Sequence, residues 1–308
     1  MRLSDQAFLS ALQRNLSGAS QSMQRLSVQL SSGKRLQRPS DGPVATTTIL
    51  SAHADLQRCL DQQETIKTGL ALSSAADQPL AEITTGLNSA QQLVLRALNA
   101  ATSDEARAAM ASQVEGLAAQ IADQANSQLG GRYLFGGSKD NAPPLVQDVS
   151  GVWQYQGNDG QLLFPVAPGR TAPANVSGLR VLNFPDAGGA RAVPGVNTDV
   201  LSLLQTVAAQ LRSSDLTGLA ASADQVQALG AQVVQQRAQL GGYSTRLTSA
   251  QQAAKRAELN LHQVLSDNED ADIAQALLEL KTLEVASQAA LVAVNQVASL
   301  PSIFSQMR

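Results

Sequence analysis

Aromatic residues are scarce in this chain: Phe, Tyr and Trp make up 3% of 308 residues. Large rings anchor the cores of most globular domains, so their scarcity argues against a broad core and for narrow seams of Leu, Val and Ala between helices. A single cysteine, Cys59, excludes an internal disulfide and a cysteine metal cage; within a helical pattern it reads as a core thiol. No apolar run approaches the ~18 residues of a membrane span, and the first 30 residues lack the apolar segment and cleavage site of a secretory signal peptide. That N-terminus is Arg- and Ser-rich and acid-poor, as organellar transit peptides are, but its apolar residues keep a strict register that a discarded peptide does not need. The net charge of −3 gives no overall pull toward nucleic acid.

What is present is a segregated charge and two heptad seams. Residues 1–40 carry Arg2, Arg14, Arg25, Lys34, Arg35 and Arg38 against one acid, Asp5, whereas residues 267–308 carry Asp267, Glu269, Asp270, Asp272, Glu279 and Glu284 against Lys281 and Arg308. Leu9, Leu12, Leu16, Ala19, Met23, Leu26 and Leu30 alternate spacings of three and four, the signature of a coiled-coil seam. Ile273, Ala276, Leu280, Leu283, Ser287, Ala290, Val294 and Val297 repeat it near the other end. The two seams, one in a basic and one in an acidic segment, are satisfied by packing on each other or on copies of each other. The alternative is that each packs only on its own neighbouring domain. Helices of this length are marginal alone in water, so the ends are expected to gain order from a partner.

Between the ends the apolar period is again helical. Leu80, Ile83, Leu87, Ala90 and Val94 form a stripe whose helix is expected to start at Pro79. Met110, Val114, Leu117 and Ile121 form another, entered by a capping box from Thr102 to Glu105. Val200, Leu203, Val207 and Leu211, then Val226, Leu229, Val233 and Leu240, match them after residue 198. Residues 130–197 hold 12 of the 22 glycines, 7 of the 11 prolines and 6 of the 9 aromatics. Within them VWQYQ and QLLFPV flank Gly157-Asn-Asp-Gly160, which reads as a hairpin. The expected fold is mainly α, an elongated multi-helix bundle formed by the N- and C-terminal halves. Terminal coiled-coil helices span 1–40 and 270–308, a helical body spans 41–132 and 198–269, and a small β-rich domain is inserted at 133–197. The chain goes out and comes back, which brings its first and last segments together.

Chemical motifs are few. Ser31-Ser-Gly-Lys34, Ser266-Asp-Asn268 and Lys67-Thr-Gly69 match the three signatures of penicillin-binding proteins and class A β-lactamases. Their order differs from that family's, and Lys67 to Gly69 lies in a helical stretch, not on a strand. His53 and His262 lack ligand spacing, and Gly33-Lys34 lacks the flanking glycine and hydroxyl of a phosphate loop. The sequons Asn15 to Ser17 and Asn175 to Ser177 matter only in a glycosylation pathway, and a basic segment whose one aromatic is Phe8 is poor at stacking single-stranded nucleic acid. No cofactor or metal is implied. The stretch SSGKRLQRPSDGPV reads as a connection: Gly33 ends the first helix, Lys34, Arg35 and Arg38 suit the negative end of its dipole, and Ser40 or Asp41 caps the next helix, with Pro39 before them and Pro43 in its first turn.

The opening MRLSDQAF, the segments LSVQLSSGKRLQRPSDGPVA and GGRYLFGGSKDNAPP, and the tail DADIAQALLELKTLEVASQAALVAVNQVASL together resemble the bacterial flagellin superfamily. Within it they are most similar to the branch that joins hook to filament; flagellin proper is the alternative. The likeness covers the helical parts at both ends and departs from the family ending at Pro301. It implies a non-enzymatic subunit exported unfolded through the flagellar type III channel on an uncleaved signal, ending extracellularly on the flagellum. It also implies as partners the first hook-filament junction protein, flagellin, an export chaperone on the C-terminal seam, and further copies in a ring. Residues 33–41 would then form a spoke between an axial helix and an outer helical body.

Overall fold

In a computed structural model, residues 2–99, 101–167 and 169–299 are described, except for the side chains of residues 2–9, 12 and 293–299. Seven α-helices and three small antiparallel strand pairs are found among them, which bears out the mainly α reading. The chain divides into two compact units: residues 1–59 with 257–308, and residues 60–256.

In the first unit, α1 (Arg2–Ser32) packs against α7 (Ile273–Ser299). The first residues of α2 (Pro43–Ala97) and the last of α6 (Leu216–Glu269) complete it. The predicted seam positions face inward: Leu26 and Ala276 are buried, and Leu16, Met23, Leu30, Leu280 and Leu283 are half-buried. Ile273 is the exception, 51% exposed at the first turn of α7. Leu9, Leu12, Val294 and Val297 have side chains outside the described residues. Cys59 is buried, as expected of a core thiol.

The second unit is built around one continuous apolar core. Ile66, Leu80, Ile83 and Leu87 of α2, Val114 and Ile121 of α3 (Asp104–Ala125), Leu201, Leu204 and Leu211 of α5 (Val200–Ser213), and Leu229 and Val233 of α6 all join it. Leu134, Phe135, Leu145, Ala172, Leu182 and Phe184 from the Gly/Pro-rich segment join the same cluster. That segment folds over the helices: β1 (Gln128–Leu129) pairs with β2 (Arg132–Tyr133), β3 (Leu145–Gln147) with β4 (Trp153–Tyr155), and β5 (Leu163–Ala167) with β6 (Arg170–Pro173), followed by the short α4 (Gly178–Val181).

Three local expectations are corrected. Pro79 does not start a helix but lies inside the 55 residues of α2. Its missing N–H and ring cost an isolated helix about 3 kcal/mol, which burial of Ala76, Leu80 and Ile83 on either side offsets. The cap of α3 is Ser103, whose Oγ accepts from the Ala106 N–H at 3.2 Å; the Thr102 hydroxyl donates instead to the Arg96 carbonyl at 3.0 Å. No hairpin forms at Gly157 to Gly160, because β4 and β5 pair with other strands. The Asn158 side chain is taken up in accepting from the Ser138 and Gly160 N–H groups at 2.8 and 3.1 Å, and Asp159 holds Ser177 and Arg180. Turn-forming residues there serve as side-chain struts. The β3–β4 turn is closed by Asp148, whose Oδ1 accepts from Ser150 and Val152, with Gly151 at φ +82°.

Candidate assembly surfaces

The connection after α1 is pinned by long-range contacts. Gly33 takes φ +71° and donates its N–H to the Gln29 carbonyl at 2.8 Å, the left-handed stop that ends a helix. The chain then runs antiparallel beside the joint between α6 and α7: Arg35 N–H donates to the Glu269 carbonyl at 2.7 Å, and Ala271 N–H to the Gly33 carbonyl at 2.9 Å. The Arg35 guanidinium donates to the Asn268 carbonyl at 2.8 Å. Lys34 pairs with Glu269, which His53 Nε2 meets at 3.3 Å on the other carboxylate oxygen. The hydrogen bond from the Lys34 ammonium holds the Glu269 carboxyl below the usual carboxylate range, and the carboxylate raises Lys34 in return.

This differs from the expectation for the spoke loop in one respect. Lys34 and Arg35 meet the last turn of α6 rather than that of α1, so the dipole they complement belongs to a helix more than 200 residues away in sequence. Pro39, Ser40 and Asp41 form a 3-10 turn in which Asp41 Oδ2 accepts from the Arg38 N–H at 3.0 Å. The cap of α2 falls to Gly42, whose carbonyl accepts from Thr46 N–H at 2.8 Å. Glu269, Asn268 and His53, which the sequence placed in an acidic segment, in an enzyme-like motif and as a candidate ligand but not in this loop's contacts, complete the joint.

A second apolar stripe on α7 was also missed. Leu278, Val285 and Val292 recur every seven residues and are 70%, 65% and 64% exposed, with Leu277 and Leu291 beside them. The doublets Leu277-Leu278 and Leu291-Val292 were the sequence signal, because a helix with one covered face needs one apolar residue per half-turn and not two.

The enzyme-like motifs do not assemble. Lys34 Nζ is engaged by Glu269 rather than a serine, and Lys67 lies in α2, paired with Glu64 at 3.4 Å. Gly69 has a packing role: a Cβ there would sit 3.0 Å from the Phe164 ring. Asn175 is buried, accepting from Leu162 N–H at 2.7 Å and donating to the Gly160 carbonyl at 3.2 Å, which makes it a structural amide. His262 meets only Glu258 among the described acids, at 4.0 Å. Among the described residues no three His, Cys, Asp or Glu gather as metal ligands, and no helix is long and apolar enough to cross a membrane.

Helices from the two chain ends packed on each other, with an apolar stripe and a charged connecting loop beside them, give the architecture of a helical structural protein. Residues 3–140 match the bacterial flagellin N-terminal helical region and residues 223–304 the bacterial flagellin C-terminal helical region, between them more than two thirds of the chain. The chain belongs to the flagellin family. It is 31% identical over 190 residues to flagellar hook-associated protein 3 of Salmonella typhimurium, covering 59% of this chain and 57% of that protein. It is 30% identical over 152 residues to the Escherichia coli protein of the same name, covering 48% and 47%. The matched stretches thus span about half the length of these relatives. The fold is shared with a putative flagellar hook-associated protein from Vibrio parahaemolyticus (TM-score 0.66, 22% identity, 75% of this chain and all of that one). It is also shared with FlgL of Bacillus cereus (TM-score 0.53, 17% identity, 69% and 99%).

Proposed function

We propose that this chain is a structural junction subunit of the bacterial flagellum, an adaptor between hook and filament, with no catalytic step of its own. The observation that carries the reading is the second apolar stripe of α7. A helix covered on one face by α1 and left in water at Leu278, Val285 and Val292 is suited to receive further helices. Burying what remains exposed of three such side chains stabilises an assembly by a few kcal/mol per subunit. Kinship with hook-associated protein 3 supports placing that assembly at the junction.

On this reading the seams formed by Leu9, Leu12, Leu16, Met23, Leu26 and Leu30 and by Ile273, Leu280, Leu283, Val294 and Val297 enter an axial core shared with neighbouring copies. The subunits form a ring on the first junction protein and present a flagellin-like surface to flagellin. Before export through the flagellar type III apparatus, a chaperone covers the C-terminal seam as a helix held in a groove. The terminal helices (1–40, 270–308), the helical body (41–132, 198–269) and the β-rich insert (133–197) would then be the three parts of each subunit. Deleting the gene is expected to leave hooks without filaments and flagellin monomers in the medium. Normal filaments on the mutant overturn the reading.

A further inference from the structure

Between the second half of α1 and the spoke loop lies an open groove of about 560 Å³ whose lining includes Gln21, Gln24, Arg25, Arg35, Gln37 and Arg38. Its one carboxylate, Asp41, is turned to the Arg38 N–H. Arg25 and Arg38 are exposed and neither guanidinium is in an ion pair among the described residues. Arg35 and Gln29 also line a smaller recess with Ala271, Asp272 and Glu279, so the basic groove adjoins an acidic surface through two shared side chains. On that acidic side Asp267 and Asp270 are exposed and likewise outside any ion pair among the described residues.

We propose that this groove receives the acidic joint, residues 267–272, of a second copy of this chain. Guanidinium forks and side-chain amides are the donors that match carboxylates, Arg in two-pronged fashion and Gln for the remaining lone pairs. The complement is present on the same unit, beside the groove rather than within it. A basic patch and a different acidic patch on one body form a head-to-tail contact, which propagates into a ring or a helix instead of closing as a two-fold dimer. Intramolecularly Glu269 is already held by Lys34 and His53, which fixes the joint, while Asp267, whose Oδ1 accepts from the Gln263 side-chain amide at 2.7 Å, and Asp270 stay exposed and without a cationic partner within ion-pair distance among the described residues. The inference rests on the assembly reading above and names the contact within it.

The test uses the full chain supplied to cells that lack the gene. Reversing the groove (R25E with R38E) or the joint (D267K with D270K) is expected to lower the number of filament-bearing cells at least about tenfold, because each places like charges together. Combining all four is expected to restore assembly to within about threefold of the unaltered chain. Export is checked by the amount of each variant in the medium, and folding by circular dichroism of the purified chain. Should a reversed variant fail to fold, R25Q with R38Q removes the charge alone, and an unchanged filament count for it overturns the proposal. So does a combined variant no better than either half, or a silent joint reversal beside a damaging groove reversal, which assigns the groove to another protein's acids. Filaments on cells lacking the gene altogether would instead overturn the junction reading, independently of these variants.

Discussion

The two units bury their apolar side chains to different extents. In residues 60–256 side chains as large as Phe135, Leu182, Leu204 and Leu229 are below 2% exposed, in a core fed by helices, strands and loops alike. In the other unit the buried apolar residues among those described are Leu26, Ala52, Cys59, Leu265 and Ala276, while Leu278, Val285 and Val292 stand in water. Burial separates them: one unit closes a core within the chain, and the other leaves the outer stripe of α7 uncovered. That stripe has a function only if something outside the chain covers it.

Truncation should break this comparison most strongly. Phe135→Ala, in the closed core, is expected to cost 3–5 kcal/mol, about the measured range for deleting a buried ring, read as a lower urea midpoint of the purified chain. Leu280→Ala, half-buried in the α1–α7 seam, is expected to cost less than about 1.5 kcal/mol in the same measurement yet to reduce incorporation into flagella. Equal losses of stability would mean that the seam is as complete in a single chain as the core.

Backbone packing gives the next effect. Gly137 adopts φ +73°, and a Cβ there would run into the Asn158 carbonyl oxygen. Gly137→Ala is therefore expected to destabilise by at least about 2 kcal/mol. Gly33 has the same left-handed backbone but open space around it, so Gly33→Ala should cost about 1 kcal/mol. Thermal melts that rank the two substitutions the other way would contradict this account.

Acid should produce the smallest effect and act on both units. Arg180, with Ser177, lowers the Asp159 carboxyl; Arg237 lowers Asp77, Arg212 lowers Glu115, and Lys34 lowers Glu269. A carboxyl depressed in the folded state binds protons less readily than in the unfolded chain. Its contribution is complete above the unfolded value and is lost as pH falls through the folded one. Stability should then be flat from neutrality to about pH 5 and decline below about pH 4. Asp159→Asn should flatten part of that decline, more than Asp77→Asn, because Asp159 also accepts from Ser177 at 2.6 Å and is the less exposed of the two. An acid profile unchanged by Asp159→Asn would remove this bridge from the account.

Much of the architecture was legible because it is periodic. Leu26, Leu30, Leu280 and Leu283 lie on their helices where a spacing of three and four puts them, and Val200, Leu203, Val207 and Leu211 are all buried. The misses came from local preference. Pro79 and the Asn158-Asp159 turn were overruled by packing and by partners distant in sequence, as when Asn158 ties Ser138 or Asp159 ties Arg180, whereas Thr102 lost the cap to its neighbour Ser103 and bonds Arg96 instead.

By itself the sequence determined the helical registers, the position of the Gly/Pro-rich insert, the segregation of charge between the ends and the glycine that stops α1. All of these follow from spacing along one strand of chain. Only the tertiary structure decided that β4 pairs with β3 and not β5, that Lys34 and Arg35 hold the last turn of α6, and that one apolar face of α7 is covered while the other is open. Each of these depends on which distant groups meet, and a pattern along the chain specifies a face without specifying what lies against it.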